Sequence, residues 1–189
     1  MVSAVPGNLP TNSSATASAA DAFGSRAKQA NTGSTLSAPV TAGNWTRVDD
    51  AAARARRQEA VTTAKKTGGG SSPVFAEYQR GGAGSAFLGF NTDPDGQFRA
   101  ELRESPPSAV RDYMAGAKVT SLQFVESGSA DVAMACGLPD QAQARRAIVC
   151  AWADSSTLGI ITWSVPNLTM NRADDLTRDF RRTVSRPAR

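Results

Sequence analysis

The chain has 189 residues, a formal net charge of +4 at pH 7, two cysteines and no histidine. Histidine is the commonest general base and the commonest metal ligand of proteins, so its absence excludes a Ser/His or Cys/His nucleophile pair. Two cysteines without histidine also fall short of the four sulfur and nitrogen ligands that zinc usually takes. The sequence therefore predicts no metal and no cofactor, and it favours a protein that is not an enzyme.

The positive charge of the chain is a mild bias, because 17 acidic residues dilute the 21 basic ones. Such a bias suits contact with an anionic surface but predicts no specific nucleic-acid binding. No apolar run reaches the roughly 18 to 20 residues that a membrane span needs. The start of the chain also lacks the basic and apolar regions of a signal peptide. We therefore expect any targeting or membrane-anchoring segment to lie outside this sequence.

Residues 1–43 consist mainly of small and polar residues, with few large apolar side chains, Phe23 and Leu36 among them. Ordering the backbone costs about 1 to 2 kcal/mol per residue, and such a composition buries too little apolar surface to offset that cost. The composition predicts a low-complexity flexible tail.

Residues 44–72 read as an Ala/Arg-rich helix followed by a Gly/Ser linker. Thr46 is a candidate N-cap, Asp49 and Asp50 fall in the first turn, and Lys65 and Lys66 suit the helix C-terminus. Nearly all apolar positions are alanine, which favours an exposed helix. A helix that docks on a partner or on an anionic surface is the alternative.

Residues 73–189 alternate short apolar runs with turns, which predicts strands at 74–79, 86–90, 119–126, 131–136, 147–153 and 158–165. A helix is predicted at 105–118, where Ser105 is a plausible cap and two prolines occupy the first turn. A second helix, at 172–185, carries Leu176 and Phe180 on one apolar stripe. This order predicts an α+β domain: an antiparallel sheet of about five to six strands with one or two helices on one face.

Cys136 and Cys150 fall on the most apolar faces of two neighbouring predicted strands. By the two-residue period, Cys136 shares a face with Met134, and Cys150 shares one with Trp152. A hairpin would place the cysteines side by side, and a disulfide closing this loop of about 15 residues is worth about 3 kcal/mol. We favour the disulfide. Two free core cysteines, or a redox pair without CxxC spacing, remain the alternatives.

The segment Asp154, Ser155, Ser156 and Thr157 follows the strand that contains Cys150. Functional loops often lie at such strand ends, which makes these residues a possible binding turn. Asp and Ser side chains also stabilise tight turns by hydrogen bonds to the local backbone, and we favour this interpretation. The remaining residues singled out are predicted to form the structural core: Trp152, Trp163 and Phe180.

The stretch VCAWADSSTLGIITW at 149–163, preceded by VAMACG at 132–137, resembles a group of uncharacterised actinobacterial proteins. In that group a linker joins a membrane anchor to a small extracytoplasmic domain with a Cys-Ala-Trp-Ala-Asp segment. The resemblance covers about the last 70 residues, including the helix ADDLTRDFRRTV. It implies pairing of Cys136 with Cys150 and a location outside the cell membrane.

These observations lead to three functional hypotheses. The first is a non-enzymatic extracytoplasmic domain near the bacterial cell envelope, held by one disulfide, that binds a protein, an envelope component or a small ligand. Its contact with the membrane would be made only through a segment absent from this chain. The second is a cytoplasmic or virion-associated assembly protein whose N-terminal tail orders on a partner. The third is an enzyme that uses Asp, Glu, Ser or Lys side chains.

Overall fold

The computed structural model describes residues 33–67, 71–140 and 147–187. Its strands are β1 (Ser34–Leu36), β2 (Thr41–Ala42), β3 (Trp45–Arg47), β4 (Ser71–Arg80), β5 (Ala83–Thr92), β6 (Val119–Val125), β7 (Ala133–Pro139), β8 (Ile148–Ala153), β9 (Thr157–Ser164) and β10 (Ser185–Pro187). Its helices are α1 (Ala51–Thr67), α2 (Gln97–Glu104), α3 (Pro106–Gly116) and α4 (Met170–Val184). Residues 1–32 of the predicted tail lie outside the described residues.

Eight strands form one antiparallel sheet in the order β2-β3-β4-β5-β9-β8-β7-β6. The strands β1 and β10 pair separately. This confirms the predicted α+β class and its antiparallel sheet. The sheet has eight strands instead of the predicted five to six. The strands β2 and β3 were not predicted because they are only two and three residues long. Elements this short give no readable alternation of apolar and polar residues.

One face of the sheet is covered by α4. The buried side chains on this face include Cys150 and Trp152 of β8 and Phe87 of β5, together with Leu176 and Phe180 of the helix. Helix α4 has the predicted apolar stripe, and its N-cap is Thr169, whose side chain accepts a hydrogen bond from the backbone N–H of Arg172. The predicted C-terminal amphipathic helix is thereby confirmed.

The opposite face carries α1, α2 and α3, which corrects the expectation of helices on one face. Leu102 of α2 and Met114 of α3 are buried here beside Ala135 and Ala151 of the sheet. Because side chains alternate across a strand, Ala151 points away from its neighbour Cys150 and towards these helices. Helix α3 contacts β6, β7 and β8, where the small alanine side chains leave room for its backbone.

The start of the described chain differs from the predicted organisation. Leu36 and Trp45 are 2% and 3% exposed and belong to the core on the α4 face. Leu36 was predicted to lie in the flexible tail and Trp45 in the exposed helix. Helix α1 begins only at Ala51, with the backbone N–H of Ala53 donating to the side chain of Asp50 at 2.7 Å. Thr46 is not the cap, because it pairs with Gln79 of β4. The fold therefore includes residues on the N-terminal side of the predicted domain boundary at 73.

Helix α3 is capped, as predicted, by Ser105, whose side chain accepts a hydrogen bond from the backbone N–H of Ser108 at 3.3 Å. Helix α2 lies just before it and was not predicted. The turn pattern at 91–98 overlaps the first two residues of this helix and hides its start. None of the helices of the described residues is long and apolar enough to cross a membrane.

Candidate functional site

Cys136 and Cys150 lie directly opposite each other on β7 and β8 and form a disulfide. The two residues are 1% and 0% exposed. A buried, bonded sulfur pair has no thiolate to act as a nucleophile or a metal ligand. The disulfide is therefore a structural staple of the sheet rather than a reactive site.

The three aromatic residues predicted for the core lie together beneath α4. Trp152 stacks parallel to Phe87 with ring centroids 5.8 Å apart, and Phe180 meets both Phe87 and Trp163 edge to face. The indole N–H of Trp163 donates to the hydroxyl of Thr177 at 2.8 Å. These rings are buried among one another and present no surface for a ligand.

Asp154 organises the turn between β8 and β9. Its carboxylate accepts hydrogen bonds from the backbone N–H groups of Ser156 and Thr157, both at 2.8 Å. It also accepts from the hydroxyl of Thr157 at 2.9 Å and from the hydroxyl of Ser34 in β1. The hydroxyl of Ser156 lies a further 3.0 Å from Oδ1, so both carboxylate oxygens are occupied by donors of the turn and of β1.

The other residues of this turn are equally engaged. Ser156 and Thr157 are 3% and 0% exposed, and the hydroxyl of Ser156 lies 3.0 Å from the backbone carbonyl oxygen of Ser34. Ser155 is half-buried beside them. The turn joins β1 to the sheet, and the geometry favours the structural interpretation over a binding turn.

An open apolar groove of about 1130 Å³ lies on the sheet face that carries α1, α2 and α3. Helix α1 packs on β4 and helix α3 packs on β6, β7 and β8, so the surface of β5 and β9 between them is left partly uncovered. The apolar side chains of the groove come from strands and helices alike: Phe75, Leu88, Phe90, Leu158, Phe98 and Tyr113. Ala60 and Ala64 of α1 line the facing wall.

The strand register explains the floor of the groove. Phe75 is opposite Leu88, and Phe90 is opposite Leu158, so these four side chains form two adjacent rows on one face. Leu88 and Phe75 are only half-buried, whereas Leu158 is 1% exposed. Large apolar side chains that remain accessible in a concave surface are typical of small-molecule sites.

Three aromatic rings meet at the α2 and α3 end of the groove. The ring of Phe90 lies 6.4 Å from that of Phe98 in α2 and 6.2 Å from that of Tyr113 in α3. Burial in this apolar setting raises the pKa of the Tyr113 phenol above its ordinary value. Tyr113 therefore stays neutral near pH 7 and offers a hydroxyl beside an apolar wall.

The rim of the groove carries charged side chains. Arg56 of α1 makes a two-pronged ion pair with Glu77 of β4, with its Nη2 at 2.6 Å from Oε2 and its Nε at 2.9 Å from Oε1. This pair fixes α1 against the sheet and raises the pKa of the Arg56 guanidinium. Glu59 and Glu101 also line the groove, so the rim is acidic although the whole chain is basic.

Sequence reasoning did not predict this groove, although a signal for it exists. In β5 the large residues Phe87, Leu88 and Phe90 occupy both faces of one strand. A strand with apolar side chains on both faces is covered on both sides or contributes to a binding surface. Helix α2, which brings Phe98 and Glu101 to the groove, was not predicted.

Among the described residues no group of three or more acidic or cysteine side chains is arranged to hold a metal ion. Comparison with known proteins finds no matching family model, no matching curated protein and no matching solved structure. The groove is therefore the candidate functional site on its geometry alone.

Proposed function

We propose that this protein is a binding domain that holds an apolar small molecule in the groove between α1, α2 and α3. The observation that carries the proposal is the groove itself, with six large apolar side chains lining about 1130 Å³, four of which (Phe75, Leu88, Phe98 and Tyr113) are partly open to solvent. Pockets for small ligands have about 300 to 1,000 Å³, are mostly apolar and contain a few polar groups that orient the ligand. Tyr113, Glu59 and Glu101 supply such polar groups here.

We further propose that the domain works outside the cytoplasmic membrane, near the envelope of an actinobacterium. Disulfides persist in oxidising compartments and are rare in the cytosol, so the Cys136–Cys150 bond supports this location. The resemblance of the segment around Cys150 to extracytoplasmic domains supports it independently. The chain has no histidine, and the carboxylate of Asp154 is occupied by hydrogen bonds within its own turn. Both observations favour binding over catalysis.

Filling the groove tests the proposed binding. Ala60 lines the groove on α1, and Ala55 lies exposed on the same helix outside the groove lining. The probe is N-phenyl-naphthylamine, a neutral apolar dye whose fluorescence rises when it leaves water. We expect Ala60→Phe to weaken its binding about tenfold or more, because the new ring occupies the volume that the dye would bury.

The matched control is Ala55→Phe, which adds the same side chain to the same helix on its exposed side. We expect this variant to bind the dye as the wild type does. Equal binding by both variants, or no binding by the wild-type protein, would contradict a ligand site in the groove. Thermal unfolding of each variant verifies that any loss of binding occurs in folded protein.

A further inference from the structure

A second, smaller pocket of about 380 Å³ adjoins the groove between α2 and α3. The two cavities share four lining residues, Phe98, Glu101, Tyr113 and Leu158. One ligand can therefore occupy both, with its larger apolar part in the groove and its end between the two helices.

The smaller pocket is strongly acidic. Glu101 and Glu104 of α2 and Asp112 of α3 line it, and no basic residue does. None of the ion pairs found in the described parts of the chain includes any of these three carboxylates. These three carboxylates therefore have no ion-pair partner among the described residues, and they lie at the end of an apolar groove.

Two other features of this pocket bear on the charge of its occupant. The C-terminus of α2 and the N-terminus of α3 meet at Ser105, so the partial charges of the two helix ends offset each other and the carboxylates set the sign. The aromatic rings of Phe98 and Tyr113 line the same pocket. The negative faces of aromatic rings attract cations, and ammonium groups are often bound between such rings.

We propose that the ligand is a cationic amphiphile whose apolar body lies in the groove and whose ammonium head group lies between Phe98, Tyr113 and the carboxylates of Glu101, Glu104 and Asp112. This inference rests on the proposed binding function and adds the chemical class of the ligand. An organic cation suits the site better than a metal ion, because the described acidic residues form no cluster with metal-ligand geometry.

The experiment compares three amphiphiles that have the same decyl chain and differ only in the head group: decyltrimethylammonium, decyl sulfate and decyl maltoside. Each is titrated into the full chain by calorimetry below its critical micelle concentration. We expect the trimethylammonium compound to bind about tenfold more tightly than the maltoside, and the sulfate to bind most weakly. The net charge of +4 favours the sulfate for the protein as a whole, so this order would report the local site.

Variants that replace one carboxylate by its neutral amide test where the ammonium group binds. We expect Glu101→Gln and Asp112→Asn each to weaken binding of decyltrimethylammonium about threefold, since a partly exposed charge pair contributes modestly. Binding of decyl maltoside should weaken less than binding of decyltrimethylammonium in both variants. Asp131→Asn, which removes the same charge from an exposed loop far along the chain, is the matched control and should bind all three compounds as the wild type does.

The outcomes separate the two proposals. Equal affinities for the three compounds, or tightest binding of the sulfate, would overturn the cationic head group and leave the apolar groove standing. Equal loss of affinity in Asp131→Asn and Glu101→Gln would also overturn it, because the effect would then be one of overall charge. If none of the three compounds binds, the proposed binding function itself is wrong.

Discussion

The indole ring of Trp152 occupies the space above Gly159, the residue that pairs with it across β8 and β9. A side chain at position 159 would overlap the six-membered part of that ring. Trp152 also stacks parallel to the ring of Phe87. Its Nε1 has no hydrogen-bond partner among the described residues, so this ring contributes to stability through packing alone.

The first prediction is that Gly159→Ala destabilises the fold by about 2 to 3 kcal/mol, because a methyl group in a filled core forces the tryptophan out of place. Urea unfolding monitored by tryptophan fluorescence measures the change. Gly116→Ala is the matched control, since no described atom outside its own stretch of helix backbone lies within 4 Å of where its methyl group would stand. We expect this control to remain within about 1 kcal/mol of the wild type. Equal effects of the two variants would contradict the packing described here.

The second prediction concerns the Cys136–Cys150 disulfide, whose cysteines are 14 positions apart. Reduction should lower the free energy of unfolding by about 3 kcal/mol, because the open loop gains conformational entropy in the unfolded chain. Mass spectrometry of denatured protein from its native source, alkylated without reductant, should find neither cysteine modified. Two alkylated cysteines would contradict the extracytoplasmic proposal and favour an assembly protein of the cytoplasm or a virion.

The third prediction is that Asp154→Ala destabilises the protein by about 2 to 3 kcal/mol without changing ligand binding. The substitution leaves the buried N–H and hydroxyl donors of Ser156 and Thr157 without their acceptor. Urea unfolding and dye titration measure the two effects. Ser155→Ala in the same turn should have an effect below about 0.5 kcal/mol. Loss of dye binding by folded Asp154→Ala protein would instead indicate a role for the turn in the site.

The fourth prediction is a loss of stability in alkali through Tyr78. Burial raises the pKa of its phenol to about 12, from an ordinary value of 10.0. The unfolded chain therefore releases this proton first, so stability is unaffected below about pH 10 and falls as the pH rises from there towards about 12. Urea unfolding across this range should give a smaller fall for Tyr78→Phe than for the wild type.

The variant Tyr78→Phe has a second expected effect. At neutral pH it loses the hydrogen bond that the phenol donates to the carbonyl oxygen of Pro39 at 3.0 Å, which costs about 1 kcal/mol. Tyr113, whose pKa is also raised by burial, is present in both proteins and cancels in the comparison. An identical alkaline fall in both proteins would show that Tyr78 does not titrate as described.

The order of the central elements was readable from the sequence because each is marked by a local pattern. The alternation around Cys150 and Trp152 identified β8, and the stripe of Leu176 and Phe180 identified α4. The segment 44–50 was predicted to belong to the helix. Asp50 does cap α1, but Trp45 lies in β3, which pairs with β4 through the two residues that follow it. Its contact lies more than 30 positions away, and no local period reports such a pairing.

The sequence by itself determined which residues of the central strands and of α4 are buried, since a side-chain period shows that one face of a strand or helix avoids water. It also determined the pairing face of Cys136 and Cys150. Only the tertiary structure decided what covers each face. Helix α1 covers β4 and α3 covers β6 to β8, so Leu88 and Phe90 of β5 line an open groove while Phe87 lies in a closed core. The apolar face of a strand or helix follows from its local pattern, whereas the element that covers this face depends on how helices distant in sequence pack on the sheet.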